Sequence, residues 1–159
     1  MDKVLQSQFP TVMAPRFTDM EPMATSGERF IITSDRILFE VSRPWLHAVR
    51  AISPSFERPT PYGHGLAEGI KLRCSPIPKG VLDVFIEQSR QAFPNETAAW
   101  VTWDESTEEF SYVALKIESS SNGHVTFERP CLRSGEHLVL DIHSHGAYPA
   151  FFSDQDDRD

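Results

Sequence analysis

The stretch Glu136-His-Leu-Val-Leu-Asp-Ile-His143-Ser-His145 decides how this chain is interpreted. Leu138 to Ile142 is an apolar run of the length expected for a buried strand, and two histidines follow it. Side chains at positions i and i+2 of a strand point to the same face. The sequence therefore predicts a strand that presents His143 and His145 to one point in space, which is half of a zinc site.

A third ligand is expected shortly after the two histidines. Zinc in catalytic sites typically has three protein ligands and a water molecule in the fourth position. A cluster of aspartates supplies candidates, and its spacing favours Asp156; the cluster contains Asp154, Asp156, Asp157 and Asp159. Ser153 and Asp156 also form a capping-box pattern, which indicates the start of a helix. The two interpretations are compatible, because a helix start is a rigid place to mount a ligand.

The complete pattern is His143-Ser-His145, seven residues, Ser153, two residues and Asp156. It resembles the JAMM motif of the JAB1/MPN/Mov34 metallopeptidases. The wider phrases Asp141-Ile-His-Ser-His-Gly146 and Ala150-Phe-Phe-Ser-Asp-Gln-Asp156 are most similar to one bacterial branch, the PRTRC system protein A, which is encoded beside a ThiF-like activating enzyme. The resemblance implies an α/β (α+β) fold with a mixed β-sheet flanked by helices, similar to the cytidine deaminases.

The general base is not determined by spacing. Zinc lowers the pKa of its bound water to about 7, and another group must then accept the proton and return it to the leaving amine. Six glutamates are open to this role on the residues alone, namely Glu96, Glu105, Glu108, Glu109, Glu128 and Glu136. In the family that the motif resembles, the catalytic glutamate follows the first helix in a Pro-x-Glu phrase, which corresponds to Pro94-Asn-Glu96.

The resemblance implies the remaining roles. His143, His145 and Asp156 would hold Zn²⁺, and Ser153 would donate a hydrogen bond to the developing oxyanion. Two positions depart from the family pattern: Thr97-Ala-Ala-Trp100 stands where many members have a glycine step, and Gly146 stands where a proline is common.

The resemblance implies a zinc-dependent isopeptidase or peptidase that acts near the C-terminal tail of a ubiquitin-like or ThiS-like protein, with a ThiF/E1-like protein as a further partner. The alternative is a non-catalytic MPN-type scaffold. A zinc deaminase needs His-x-Glu together with Cys-x-x-Cys, and neither is present.

Three further residues near the motif receive expectations. Asp141 shares the strand face of His143 and either orients an imidazole or forms a salt bridge. Ser144 faces away from the metal and is expected to be structural. Tyr148, with Phe151 and Phe152, makes the following loop apolar, which favours packing over contact with an extended substrate tail.

Composition limits the other functions. The chain has 159 residues with 15 basic and 23 acidic side chains, and its net charge of −8 argues against a nucleic-acid surface. Cys74 and Cys131 form no Cys-x-x-Cys pair and are expected to be buried free thiols in a reducing compartment. No signal-peptide pattern or membrane-length apolar run is present, which predicts a cytoplasmic protein.

Along the chain, the pattern predicts two domains. Residues 1–75 form a small β-rich module, with an extended arm over 1–28, a hairpin around Ser34-Asp35, a strand or short helix over 45–52 and a loop over 53–65. Residues 76–159 form the JAB/MPN domain. Family members continue beyond the motif with further helix and strand, so this domain is expected to be C-terminally short.

Within the second domain, an amphipathic helix is predicted over Lys79–Phe93, ending at Pro94. One apolar face is expected to combine Val81, Leu82, Phe85, Ser89, Ala92 and Phe93. The strands that follow are predicted over 97–103, 110–118, 125–128 and 138–143, with a turn at Asn122-Gly123.

Overall fold

The computed structural model describes residues 2–150 of the chain. The architecture is mixed α/β, with mostly strands and few helices. The chain divides into two compact units, Met1–Ser75 and Pro76–Asp159. Among the described residues, no helix has the length and apolar character that crossing a membrane requires.

The first unit contains one helix and a five-stranded sheet. Helix α1 covers Asp2–Gln8, and the strands are β1 (Thr11–Met13), β2 (Gly27–Ile32), β3 (Ile37–Ser42), β4 (Leu46–Ala51) and β5 (Gly69–Leu72). The strands lie in sequence order across the sheet. β1 pairs parallel with β2, and all other pairs are antiparallel.

One face of this sheet carries the core of the first unit. Ala14, Ile31, Leu38 and Val49 are buried there and pack together. In β3 every second residue is buried, because successive side chains of a strand alternate between its faces. Glu40 lies on the buried face of β3, so this core also encloses a carboxylate.

The prediction for residues 1–28 was wrong in part. α1 and β1 are regular elements in a segment for which an extended arm was expected. Phe30 N donates a hydrogen bond to Pro10 O at 2.7 Å, which begins the parallel pairing of β1 with β2. Such pairing joins segments far apart in sequence and leaves no local periodicity. For residues 45–52, the strand alternative is confirmed by β4.

The second unit begins with helix α2 (Lys79–Ala92). Its strands are β6 (Ala98–Asp104), β7 (Glu109–Ala114), β8 (Lys116–Ser121), β9 (His124–Glu128) and β10 (Glu136–His143). β6 lies between β10 and β7 in an antiparallel three-stranded sheet, and β8 pairs with β9 in a separate hairpin.

β6 is the centre of the second unit. All its residues except Asp104 are buried, so both of its faces are covered. On one face, Ala98 and Trp100 pack with Leu115 and with residues of β8 and β9. On the other face, Gln88 of α2 donates to Thr97 Oγ1 at 2.7 Å and accepts from Tyr112 of β7. The hairpin and the helix therefore cover opposite faces of one sheet.

The strand predicted over 110–118 is two strands. β7 belongs to the three-stranded sheet, whereas β8 belongs to the hairpin. Leu115 separates them and is 7% exposed, because it turns into the core that the two sheets share. Apolar alternation continues through this point, so the sequence pattern does not reveal the change of sheet.

The predicted face of α2 is correct in four of its six residues. Val81, Phe85, Ser89 and Ala92 are partly buried. Leu82 and Phe93 are 37% and 64% exposed, and their assignment to the buried face was wrong. The face of α2 that packs on the sheet therefore has fewer apolar residues than expected, and it includes the polar Gln88.

Candidate metal centre

The two predicted histidine ligands lie together at the end of β10. His143 is the last residue of the strand, and His145 follows after one residue. Their ring centroids are 4.9 Å apart, with 37° between the ring planes, and both residues are partly buried. Two imidazoles this close on one face suit a single zinc ion, which binds histidine nitrogens at about 2.0 to 2.1 Å.

The segment that carries Glu96 runs alongside this strand end. His143 is opposite Ala98 in the antiparallel register of β10 and β6. Ser144 N donates to Thr97 O at 2.8 Å, which continues the pairing by one residue beyond the strand. Continuing the same register by one more residue places His145 opposite Glu96. Because directly opposite residues share a face, Glu96 lies on the face of the two histidines.

Gly146 brings the two segments into backbone contact. Its φ is +51°, in the left-handed region that favours glycine. A Cβ atom at this position would lie 2.3 Å from Pro94 O and 3.2 Å from Asn95 C. Only a residue without a side chain therefore permits this approach, and a proline is excluded by its fixed negative φ.

The hairpin of β8 and β9 holds the backbone of Glu96 from the other side. Glu96 N donates to Ser121 O at 2.7 Å, and Ser120 Oγ donates to Glu96 O at 2.6 Å. The residue is 7% exposed. Within residues 2–150, no hydrogen bond reaches its carboxylate. A buried carboxylate whose backbone is fixed in this way is held in a defined position, which a general base requires.

Geometry separates the six glutamates that the sequence left open. Glu105, Glu108, Glu109 and Glu136 lie at the far end of the sheet, where Glu136 pairs with Asp104. Glu128 lies at the end of its hairpin opposite the turn. Glu96 alone of the six lies beside the histidines.

Glu136 and Glu105 have other partners. The Arg133 amide and the Thr102 hydroxyl donate to Glu136, and they hold the pKa of its carboxyl below the usual value. Glu105 Oε2 lies 3.2 Å from His137 Nε2. Both residues are therefore explained by local contacts of the distal sheet end.

The other predicted residues have different outcomes. Asp156 and Ser153 lie outside the described residues, as do Asp154, Asp157, Asp159, Phe151 and Phe152. Within residues 2–150, no group of three or more His, Cys, Asp or Glu side chains is arranged to hold a metal ion. Asp141 is exposed, and Tyr148 is 54% exposed beside Gly123. The two cysteines are free thiols, as predicted, but their expected burial was wrong, because Cys131 is exposed and Cys74 is only partly buried.

A comparison with known protein families identifies the family to which the second unit corresponds. Residues 78–159, just over half of the chain, match the family described as prokaryotic homologs of the JAB domain, and the chain belongs to this family. Residues 1–73 match a domain of unknown function, DUF2016. No curated protein and no solved structure matches the chain.

Sequence reasoning missed the partners of the polar residues that join the parts of this site. Ser144 was expected to be structural, which agrees with its two hydrogen bonds to Thr97, whereas Gln88, Thr97 and Ser120 received no role. All four form hydrogen bonds that link α2, the hairpin or the strand end to the Glu96 segment. A single polar residue within an apolar pattern gives no indication of its partner, so no sequence signal was available for them.

Proposed function

We propose that this JAB-domain protein is a zinc-dependent isopeptidase or peptidase with a JAMM-type site. The observation that carries the proposal is the pair of adjacent imidazoles at the end of β10, next to the paired segment that carries the buried Glu96. Two imidazoles with one carboxylate, here Asp156, form a ligand set typical of catalytic zinc. Zn²⁺ bound there would supply Lewis acidity and a water molecule of lowered pKa.

The residues of the chain divide the remaining work. His143 and His145 bind and orient the ion. Glu96 accepts a proton from the attacking water and returns it to the leaving amine, a role that general acid–base groups typically perform with a contribution of about 10²- to 10⁴-fold. Ser153 donates to the oxygen on which negative charge develops.

The substrate class follows from the family resemblance of the motif. We propose an amide bond near the C-terminal tail of a ubiquitin-like or ThiS-like protein, with a ThiF/E1-like protein as a partner and the cytoplasm as the location. The same resemblance supports the PRTRC protein A branch and a sheet of the cytidine-deaminase type.

A non-catalytic scaffold is the second candidate. It is favoured by a contiguous apolar groove on α2, which Phe85, Ile86 and Phe93 line, with Ile86 46% and Phe93 64% exposed. Contiguous exposed apolar surface is typical of sites that bind other proteins. In that case the histidine pair would have no catalytic use.

Zinc content and amide hydrolysis separate the two candidates. Metal-depleted protein is reconstituted with zinc and compared with His145→Ala, and His124→Ala serves as the matched control because His124 is exposed in the hairpin. One zinc per chain, lost in His145→Ala and kept in the control, is expected. Hydrolysis of a fluorogenic peptide amide ending in Gly-Gly is measured on the same samples.

The outcomes are distinct. Zinc binding with hydrolysis that depends on His145 supports the enzyme. Zinc binding that is equal in His145→Ala would contradict the assigned ligands. Absence of zinc from the wild-type protein would leave the scaffold as the better description.

A further inference from the structure

Ser144, the residue between the two histidines, is tied to the residue after Glu96 by two hydrogen bonds. Ser144 N donates to Thr97 O at 2.8 Å, and Thr97 N donates to Ser144 Oγ at 3.0 Å. In a regular antiparallel pair, the second bond would go to the backbone carbonyl of the opposite residue. Here a side chain replaces that carbonyl, so the hydroxyl of Ser144 sets the separation of the two segments.

Gln88 of α2 extends this contact to the helix. Its Nε2 donates to Thr97 Oγ1 at 2.7 Å and to Ala98 O at 3.2 Å, and its Oε1 accepts from Tyr112 OH at 2.5 Å. A backbone carbonyl can only accept, so the contact with Ala98 fixes the orientation of the amide. Burial raises the pKa of Tyr112, which keeps its hydroxyl protonated as a donor at neutral pH.

These bonds lie on the face of the sheet opposite to the histidines. Thr97 and Ser144 alternate with Glu96, Ala98, His143 and His145 along the two paired segments, and side chains of adjacent strand residues point to opposite faces. The bonds therefore act on the backbone that carries the ligands and the base, and Gln88 approaches the sheet from the face opposite to the histidines.

We infer that Ser144 and Gln88 are positioning residues: through Thr97 they fix the distance between the Glu96 carboxylate and the histidine pair. This inference rests on the proposed hydrolase function. A displacement of about 1 Å in a reacting group can cost about 10²-fold in rate. Loss of either side chain removes neither a ligand nor the base, yet it alters their separation.

The test compares Ser144→Ala and Gln88→Met with matched controls in the zinc-loaded chain. Ser119→Ala and Gln91→Met are the controls, since Ser119 is exposed on β8 and Gln91 is exposed on α2, where it donates to Glu87. Ser144→Thr restores the hydroxyl. With the Gly-Gly peptide amide as the probe, kcat is expected to fall about tenfold or more in the two test variants, with KM within about twofold of the wild type.

Two readouts are independent of turnover. The Thr97 amide is expected to lose hydrogen-exchange protection in Ser144→Ala and to recover it in Ser144→Thr. When cobalt replaces zinc, the absorption spectrum of the bound cobalt is expected to be the same in all variants as in the wild type, because both histidines remain.

The results separate this inference from the function on which it rests. A wild type that binds no zinc and cleaves no probe overturns the proposed function, and the inference with it. An active wild type whose kcat is unchanged in Ser144→Ala overturns the positioning role alone, as does a Thr97 amide whose exchange is unaffected. A fall in kcat that Ser144→Thr reverses supports it.

Discussion

Each unit buries one glutamate, Glu40 in the first and Glu96 in the second, and the two carboxylates have different surroundings. Glu40 in β3 is fully buried and accepts hydrogen bonds from Met23 N at 2.7 Å, Arg29 Nε at 2.6 Å and His47 Nε2 at 2.9 Å. Glu96 is buried to a similar degree, but within residues 2–150 only its backbone is held. Burial alone therefore does not distinguish a structural carboxylate from one available for chemistry.

The partners of Glu40 determine its charge. Burial raises the pKa of its carboxyl, but the bonds from His47, the Met23 amide and Arg29 outweigh this and lower it overall. A carboxylate that is paired in this way stays ionised and has little capacity to accept a proton near neutral pH. His47 contributes to this network.

The largest expected effect concerns Glu96. Glu96→Gln should lower kcat for peptide-amide hydrolysis by on the order of 10³-fold, because a general base is removed while size and burial are kept. Zinc content and thermal stability should stay as in the wild type. Glu118→Gln on β8 is the matched control, since Glu118 is exposed. Hydrolysis at the wild-type rate in Glu96→Gln would contradict the role of Glu96 as the general base, and the proposed difference from Glu40 with it.

Glu40→Ala should affect stability instead of chemistry. Removing one partner of a buried ion pair leaves Arg29 and His47 without their acceptor, and the expected loss is about 3 kcal/mol in the free energy of unfolding. Urea denaturation of the full chain measures it. Glu28→Ala provides the comparison, because the exposed pair of Glu28 with Arg43 should contribute less than about 1 kcal/mol. Equal effects of the two substitutions would contradict the structural role of Glu40.

Gly146→Ala should disturb the contact that holds the Glu96 segment against the histidine strand. The new Cβ atom would clash with Pro94 O, and the φ of +51° disfavours a side chain, so we expect a loss of about 2 kcal/mol. Gly80→Ala in α2 is the control: no atom lies within 4 Å of its added Cβ, and alanine favours helix. If Gly146→Ala is as stable as Gly80→Ala, the close approach is not required.

The smallest expected effect is the contribution of Glu40 to the pH dependence of stability. Since folding lowers the pKa of Glu40 from its ordinary value of 4.5, its contribution to stability is present above about pH 4.5 and is lost as pH falls through the folded pKa. Unfolding free energies measured from pH 7 down to pH 3 should therefore decrease, and Glu40→Gln should flatten the curve. A slope that is identical in Glu40→Gln would assign the effect to other carboxylates.

Local pattern was sufficient for several elements. Alternation of apolar residues predicted the hairpin around Ser34-Asp35, and an apolar run predicted the strand that ends at His143. Helical periodicity, with Pro94 as the stop, predicted helix α2. The pairing of β1 with β2 and the division at Leu115 did not follow, because both depend on residues distant in sequence.

By itself, the sequence determined the identities and spacing of His143 and His145 and their shared face, because alternation along a strand is a local property of the backbone. Spacing left six glutamates open for the base, of which the family resemblance favoured Glu96, and it gave Ser144 and Gln88 no connection to the site. Only the tertiary structure showed that the Glu96 segment lies beside the histidines, since strand register and the Gly146 contact join residues about 50 positions apart.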